Sequence, residues 1–323
     1  MAKPSVFVTR RLPHAVEAEL SHRFEVTINK GDQQLGTEEF REAVRKYDAV
    51  LPTVTDKFCG QAMDVSSPQA KILANYGVGF SHIDIPSVSR HGITVTNTPD
   101  VLSQCTADLA MTLLLMAARR AGEGERELRN GDWTGWRPTH LVGTKVSGKT
   151  LGIIGFGRIG QEMARRAHHG FDMDILVYNR SPIDSEKLAA FGAKQIDSID
   201  ELLPKCDFIS LHCPGGTENR HLINAKRLDL MRPDAFLINT ARGEVVDDHA
   251  LSQALWFNTI GGAALDVFEG EPRINPNLLA CDNLVMLPHL GSATREAREA
   301  MGFRAMDNLV DFFEGREPRD RVA

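Results

Sequence analysis

Three side chains with catalytic potential follow short apolar runs in the second half of this 323-residue chain. They are Arg242, Glu271 and His289, which come shortly after the runs 235–239, 262–267 and 284–287. Since ligands of an open α/β sheet lie beyond the carboxyl ends of its strands, we expect the three to converge at one sheet edge. A guanidinium can orient a 2-oxo acid, and an imidazole can give the carbonyl a proton while a nicotinamide supplies a hydride. Each residue alone would more often be structural, so the prediction depends on their convergence.

A glycine-rich turn upstream predicts where a dinucleotide would bind. Gly155, Gly157 and Gly160 follow the strand-like run 150–154 and open the helical stretch 161–168. Gly155 permits the tight turn, Gly157 lets the backbone approach a pyrophosphate, and Gly160 allows close packing of helix against strand. The helix N-terminus adds N–H donors. The alternative is a glycine-rich turn without a ligand.

The end of the next strand bears on the choice of cofactor. It carries Asn179, Arg180 and Ser181, where an NAD-binding protein usually has Asp or Glu. Arg180 can pair with a 2′-phosphate, and Asn179 and Ser181 can donate hydrogen bonds to it. NADP(H) is therefore favoured, with NAD(H) possible. The alternative is that Arg180 is only a solvated surface cation.

The elements that must position these residues alternate between apolar strands and helix-compatible stretches. The first series of predicted strands is 6–8, 24–28, 49–51, 72–75 and 93–96, and the second is 150–154, 175–178, 207–211, 235–238, 262–267 and 284–287. This alternation predicts an α/β protein with two doubly wound parallel sheets. The helix predicted over 103–120 is apolar on nearly every face and should be buried all round. Between 122 and 148 we expect a helix and an extended arm, in which exposed Trp133 and Trp136 would indicate a subunit interface.

Composition excludes several classes of protein. With 37 basic and 43 acidic residues the net charge is −6, so nucleic acid is an unexpected partner. Mean hydropathy is −0.23, and no apolar run approaches the roughly 18 residues of a membrane span. The five cysteines are scattered and form no C-x-x-C pair, which indicates reduced thiols. The N-terminus lacks a signal-peptide pattern, so we expect a cytoplasmic protein. No metal is predicted, because 168–169 indicates a solvated helix face and 247–249 a helix start.

Several motifs together resemble the D-isomer-specific 2-hydroxyacid dehydrogenases. They are 155–160, 239–243, 266–272 and 288–294, supported by 75–79, 83–84, 96–100 and 106–110. The resemblance covers nearly the whole chain. The segments 133–138 and 179–181 are most similar to the glyoxylate and hydroxypyruvate reductase branch, which tends to use NADPH. At His140 the mammalian members of that branch have an aromatic residue that reaches the partner's substrate site.

The resemblance implies a cofactor domain, residues 100–289, inserted into a substrate domain, residues 1–99 and 290–323, and a homodimer built from the arms at about 122–148. It implies that His289 is the acid/base and that Glu271 pairs with its imidazole. Arg242 would bind the substrate's carboxylate and keto oxygen, and the backbone amides of Val78 and Gly79 would hold the carboxylate. Asp266 would meet the nicotinamide carboxamide. The remaining candidate cofactor contacts are Thr106, Arg158, Ile159, Cys213, Pro214, Thr240, Ala241 and Gly291.

These features favour an enzyme that reduces small 2-oxo acids, such as glyoxylate and hydroxypyruvate, with NADPH as the hydride donor and His289 as the proton donor. One alternative is an NAD-dependent D-2-hydroxyacid dehydrogenase acting on D-lactate or 3-phosphoglycerate. A second is an NAD(H)-sensing corepressor-like binding protein, against which the net charge of −6 and the lack of basic tracts argue. The preferred 2-oxo acid and the physiological direction stay open at this point.

Overall fold

A computed structural model describes residues 3–56, 58 and 62–323 of the chain. It divides into two compact units: one ends at Leu102 and resumes from Ala293 to Ala323, and the other runs from Ser103 to Ser292. The domain limits expected from the sequence, after residues 99 and 289, differ from this division by a few residues. Which unit binds which ligand stays a prediction.

Helices and strands alternate along most of the described chain. The strands are β1 (Ser5–Val8), β2 (Glu25–Ile28), β3 (Ala49–Leu51), β4 (Ile72–Ala74), β5 (Thr94–Thr96), β6 (Thr150–Ile154), β7 (Asp174–Tyr178), β8 (Ala193–Gln195), β9 (Phe208–Leu211), β10 (Phe236–Asn239), β11 (Gly262–Leu265) and β12 (Leu284–Met286). The helices are α1 (His14–Arg23), α2 (Thr37–Lys46), α3 (Ile85–Arg90), α4 (Ser103–Ala118), α5 (Ala121–Asn130), α6 (Arg158–Phe171), α7 (Ser185–Ala189), α8 (Ile199–Leu202), α9 (Ala225–Asp229), α10 (Asp248–Trp256), α11 (Pro276–Leu279) and α12 (Arg295–Phe313).

The first unit is built on a parallel sheet of order β2-β1-β3-β4-β5. Strands β3 and β4 are buried along their whole length, as expected of a parallel sheet covered by helices. The C-terminal helix α12 packs on β4 and α1. Its Gly302 is needed there, because a Cβ at that position would lie 2.5 Å from the side chain of Val16.

The second unit is built on a parallel sheet of order β12-β11-β10-β9-β6-β7-β8. The chain moves outward from β6 to β8 and then returns to β9 on the other side of β6. The carboxyl ends of β6 and β9 thus form the switch point at which such sheets bind ligands. The two sheets confirm the predicted fold class.

Two details of the second unit correct the sequence-based expectations. We expected six strands, but β8 is a seventh; among its residues only Ala193 is buried, so it lacks an apolar run. The prediction that 103–120 is buried all round was also wrong. Gln104, Asp108 and Thr112 form an exposed stripe on α4, and Asp108 accepts a 2.6 Å hydrogen bond from Arg166 of α6.

The segment between α5 and β6 forms the predicted arm. Trp133 and Trp136 are 51% and 83% exposed, as expected. His140 lies 2.7 Å from Glu127 of α5, between Nε2 and Oε2. The arm is therefore fastened to its own helix at this point.

No helix in the described part of the chain combines the length and apolarity needed to cross a membrane. Among the cysteines that the structure describes, Cys105, Cys206, Cys213 and Cys281, no disulfide bond occurs. Cys59 lies outside the described residues.

Candidate active site

The second unit brings three functional loops to one edge of its sheet. β10, β11 and β12 are adjacent and parallel, so the segments that follow them leave the same edge. Arg242, Glu271 and His289 lie on these segments. The convergence expected from the sequence therefore follows from the strand order.

Glu271 and His289 form the central pair of this site. His289 Nδ1 lies 2.8 Å from Glu271 Oε2, and Glu271 Oε1 accepts a 2.8 Å hydrogen bond from the N–H of Phe268. Because an ionised carboxylate only accepts hydrogen bonds, Nδ1 carries the proton and Nε2 is left for a reacting group.

Glu271 remains ionised in this environment. Burial acts to raise its pKa, but the hydrogen bond and charge of His289, the Phe268 N–H and the charge of Arg242 outweigh burial, and the net pKa lies below the ordinary 4.5. The carboxylate therefore orients the imidazole through a charge-assisted hydrogen bond.

A close backbone crossing joins the loop of Arg242 to the loop of Glu271. A Cβ on Gly243 would lie 1.9 Å from the carbonyl carbon of Phe268 and 2.4 Å from the N of Glu269, so only glycine fits there. Gly243 belongs to the motif 239–243, but this need for glycine could not be predicted because the contact partner is distant in the chain.

The Arg242 guanidinium is held beside this crossing. Its Nη1 donates a 2.7 Å hydrogen bond to the carbonyl of Ala241. Burial lowers the pKa of Arg242, while the charges of Glu244 and Glu271 act to raise it. An arginine stays charged under such a shift, so a partly buried cation is available for an anionic substrate.

Asp266 holds the backbone that carries His289. Its Oδ1 accepts a 2.7 Å hydrogen bond from the N–H of Leu290, and its Oδ2 accepts one of 2.8 Å from the N–H of Gly291. Thr106 on α4 donates a 3.1 Å hydrogen bond to the carbonyl of Gly291. The predicted contact of Asp266 with the nicotinamide stays a prediction, but the structure shows a positioning role that the sequence did not reveal.

The glycine-rich turn after β6 fits a dinucleotide. Gly155 has a φ of +95°, and a Cβ there would lie 2.6 Å from the N of Cys213. A Cβ on Gly160 would lie 2.3 Å from the carbonyl oxygen of Gly155. A Cβ on Gly157, by contrast, would meet no atom of the described residues within 4 Å. This open position at the N-terminus of α6 can admit a pyrophosphate.

The remaining residues at this edge are consistent with the same ligand. Thr240 is buried, and among the described residues its Oγ1 has no hydrogen-bond partner, as expected of a group awaiting a ligand. The other candidate contacts differ in exposure: Arg158 and Pro214 are exposed, Ile159 and Cys213 are half-buried, and Ala241 is buried.

The end of β7 carries the residues predicted to choose the cofactor. Asn179 Oδ1 accepts a 3.3 Å hydrogen bond from the N–H of Phe156, and its Nδ2 donates one of 3.1 Å to the carbonyl of Ser181. Asn179 thus ties this strand end to the glycine-rich turn. Arg180 is ion-paired with Glu218, at 2.6 Å between Nη1 and Oε2. Glu218 was not among the predicted site residues.

Comparison with known proteins identifies the family. The model of the NAD-binding domain of D-isomer specific 2-hydroxyacid dehydrogenases matches residues 111–291. A glyoxylate reductase from Thermococcus litoralis is 44% identical over 326 residues, which cover 99% of this chain and 97% of the relative. The chain belongs to the D-isomer-specific 2-hydroxyacid dehydrogenase family. It is an NAD(P)-dependent enzyme of this family.

Other members of the family are similar over the same length. A glycerate dehydrogenase from Hyphomicrobium methylovorum is 38% identical over 315 residues, with 98% of both chains covered. The crystal structure of an NADPH-dependent glyoxylate/hydroxypyruvate reductase from Sinorhizobium meliloti, in complex with NADP and malonate, gives a TM-score of 0.88 at 32% identity, covering 100% of this chain and 97% of that chain.

Two further residues that the family resemblance implied, Val78 and Gly79, lie in the first unit of this dehydrogenase. Asn97 Nδ2 donates a 2.9 Å hydrogen bond to the carbonyl of Val78, and Asn75 Nδ2 donates one of 3.1 Å to that of Gly79. These amide side chains fix the orientation of the loop after β4. Binding of a carboxylate by its N–H groups stays a prediction.

Proposed function

We propose that this dehydrogenase reduces small 2-oxo acids with NADPH, with glyoxylate and hydroxypyruvate as its leading substrates. The observation that carries the proposal is the His289–Glu271 pair, at 2.8 Å between Nδ1 and Oε2. Further support comes from the glyoxylate reductase of Thermococcus litoralis and the NADPH-dependent reductase of Sinorhizobium meliloti.

The proton in this reaction comes from His289. A bound nicotinamide dinucleotide supplies the hydride that reaches the carbonyl carbon. In the protonated imidazole Nε2 carries the proton to be given to the carbonyl oxygen, because Nδ1 is committed to Glu271. For oxidation of the hydroxy acid, the neutral imidazole accepts the proton at the same atom.

Arg242 binds the anionic substrate. Its guanidinium can pair with the carboxylate and reach the keto oxygen beside it, and its fixed, planar fork orients the substrate. Binding of a substrate carboxylate by the N–H groups of Val78 and Gly79 stays a prediction. Asp266 and Thr106 keep the backbone of residues 289–291 in place through the hydrogen bonds described above.

Arg180 supports a preference for NADPH. It stands at the carboxyl end of β7, where its charge can attract a 2′-phosphate, and the neutral Asn179 beside it does not repel that group. Combining Asn179→Asp with Arg180→Ala should therefore shift the preference toward NADH. A wild-type enzyme that already prefers NADH would favour the NAD-dependent alternative.

We also propose that the enzyme is a homodimer formed through the arm. Leu128, Trp133, Trp136 and Val142 are 62%, 51%, 83% and 65% exposed. Large apolar side chains grouped on one segment are costly in water and typical of an interface. Light scattering coupled to gel filtration should give twice the chain mass of 35.7 kDa, and Trp136→Ser should shift the protein toward the monomer.

A panel of 2-oxo acids, each assayed with NADPH and with NADH, tests the proposed function. Glyoxylate and hydroxypyruvate with NADPH should give the highest kcat/KM. His289→Gln should lower kcat by about a hundredfold or more, the usual range for loss of a general acid, while the Kd for NADPH changes little. His169→Gln, on the exposed end of α6, is the matched control. A His289→Gln enzyme with near-normal kcat would contradict the role, and negligible turnover of every acid would favour the binding-protein alternative.

A further inference from the structure

The guanidinium of Arg180, which is proposed to attract a 2′-phosphate, is paired with the carboxylate of Glu218. Arg180 Nη1 lies 2.6 Å from Glu218 Oε2, and the two side chains are 63% and 80% exposed. Arg180 follows β7, and Glu218 lies in the short turn after β9. These strands flank β6 on its two sides, so the pair lies at the edge where the glycine-rich turn also ends.

The turn that presents Glu218 is fixed by its own hydrogen bonds. Gly216 has a φ of +105°, and its N–H donates a 3.2 Å hydrogen bond to Glu244 Oε1. Asn219 is 8% exposed, and its Nδ2 donates a 2.8 Å hydrogen bond to the carbonyl of Pro214. Hydrogen bonds therefore fix the turn on both sides of Glu218.

We propose that Glu218 sets the limit on this enzyme's discrimination between NADPH and NADH by acting as the counter-ion of Arg180. The inference rests on the proposed function. A 2′-phosphate must share or displace the Glu218 carboxylate to reach the guanidinium, so part of the attraction that Arg180 offers is already used in the ion pair. A free ribose 2′-hydroxyl does not depend on the guanidinium and can donate a hydrogen bond to the carboxylate. Glu218 thus weakens NADPH binding selectively and narrows the preference that Arg180 creates.

The expected effect is modest, because both side chains are exposed and an exposed ion pair is weak. Glu218→Gln should raise the affinity for NADPH by about two- to fivefold and leave that for NADH unchanged or slightly lower. Arg180→Ala should lower the affinity for NADPH by about tenfold or more, the size of one charge-assisted hydrogen bond. In the Arg180→Ala background, Glu218→Gln should have a much smaller effect.

Titration calorimetry on the whole protein measures these changes without depending on turnover. The ligands are NADPH, NADH, adenosine 2′,5′-bisphosphate and AMP, and the proteins are wild type, both single variants and the double variant. Glu317→Gln is the matched control, because Glu317 is 70% exposed and pairs with Arg321 at 2.9 Å in the first unit.

The inference is supported if Glu218→Gln raises the affinity for NADPH and adenosine 2′,5′-bisphosphate but not the affinity for NADH and AMP. An unchanged NADPH-to-NADH affinity ratio in Glu218→Gln would overturn it, as would an equally large effect without Arg180. Glyoxylate turnover is measured separately on the same samples. If Glu218→Gln shifts the affinity but the enzyme reduces no 2-oxo acid, the inference holds and the proposed function fails. If the enzyme reduces glyoxylate but the affinity does not shift, the proposed function holds and the inference fails.

Discussion

Glu271 accepts a hydrogen bond from Nδ1 of His289 through one carboxylate oxygen and from the Phe268 N–H through the other, both at 2.8 Å. The imidazole is thereby fastened to the backbone of its neighbouring loop. Glu271→Gln keeps an oxygen that can accept from Nδ1 but replaces the charge-assisted hydrogen bond with a weaker neutral one. We expect kcat to fall by about ten- to a hundredfold, part of what loss of a general acid costs, with little change in the Kd for NADPH.

Steady-state kinetics with saturating NADPH tests this expectation. Glu269→Gln is a suitable control, because Glu269 lies on the same loop but pairs with His221 and Arg220. It should change kcat only slightly. Equal losses in the two variants would mean that the loop's charge, and not the contact with His289, governs turnover.

Gly157 gives a prediction that separates folding from cofactor binding. Its φ of −73° suits any residue, and a Cβ would meet no atom of the described chain within 4 Å. Gly157→Ala should therefore keep the wild-type melting temperature and yet weaken NADPH binding by about tenfold or more, since a methyl group would fill the space of the pyrophosphate.

The control is Gly170→Ala near the end of the same helix, where an added Cβ also meets no described atom within 4 Å. That change should leave cofactor affinity unaltered and slightly raise stability, as alanine favours helices. Calorimetric titration with NADPH distinguishes the two variants. Wild-type affinity in Gly157→Ala would show that the cofactor does not approach this turn.

Gly243→Ala should disrupt the crossing between the loops of Arg242 and Glu271. The added Cβ would lie 1.9 Å from the Phe268 carbonyl carbon, and no side-chain rotation can relieve a clash with backbone. We expect a loss of stability of about 1–3 kcal/mol together with a loss of kcat. Thermal unfolding and kinetics should be compared with Gly31→Ala, whose nearest neighbour would be 3.7 Å away. A wild-type melting temperature and kcat in Gly243→Ala would contradict the close crossing of the two loops.

The buried carboxyl of Asp248 should make the folding stability of the protein depend on pH. It is 6% exposed in the first turn of α10 and accepts a 3.2 Å hydrogen bond from the N–H of Glu269. Burial raises its pKa to about 6, helped by the charges of Glu269 and Asp247 and opposed by the Glu269 N–H and His221. Because the pKa of this carboxyl is higher in the folded protein than in the unfolded chain, the ionised form lowers the stability of the fold. This loss of stability is absent below about pH 4 and complete above about pH 6.

Asp248→Asn keeps an acceptor oxygen and removes this penalty. The variant should melt about 2–4 °C above wild type at pH 8, and the difference should shrink toward zero at pH 4. Asp307→Asn, at an aspartate that is 47% exposed, should show no such trend. A difference that is constant with pH would mean that Asp248 is not the titrating group.

The fold and the placement of the candidate catalytic residues were predictable because the strands of a buried parallel sheet are apolar runs followed by polar loops. β10 shows this, since all of Phe236–Asn239 is buried and Arg242 follows shortly after. β8 was not predictable, because Lys194 in its middle is exposed. Asp247 was predictable as a helix start, and its side chain caps α10 by accepting from the N–H groups of His249 and Ala250.

What sequence reasoning missed depends on contacts between distant segments. The need for glycine at position 243 arises only where Phe268 crosses it, and the counter-ion of Arg180 comes from the turn after β9. The contact of Asp266 with the cofactor stays a prediction, but the hydrogen bonds of its carboxylate with the N–H groups of residues 290 and 291 were not predicted. The sequence shows which residues lie near one another along the chain, but only the folded structure shows which distant residues each of them contacts.

The backbone of His289 has a φ of +57°, a region that costs a residue with a Cβ on the order of 1 kcal/mol. Its N–H bond to the Asp266 carbonyl and the Asp266 carboxylate hold it there against that cost. Glycine at this position would be free of the strain but would lose the contact with Glu271. The proposed acid/base role of His289 thus requires a side chain on a backbone that costs stability, so stability and activity are opposed at this position.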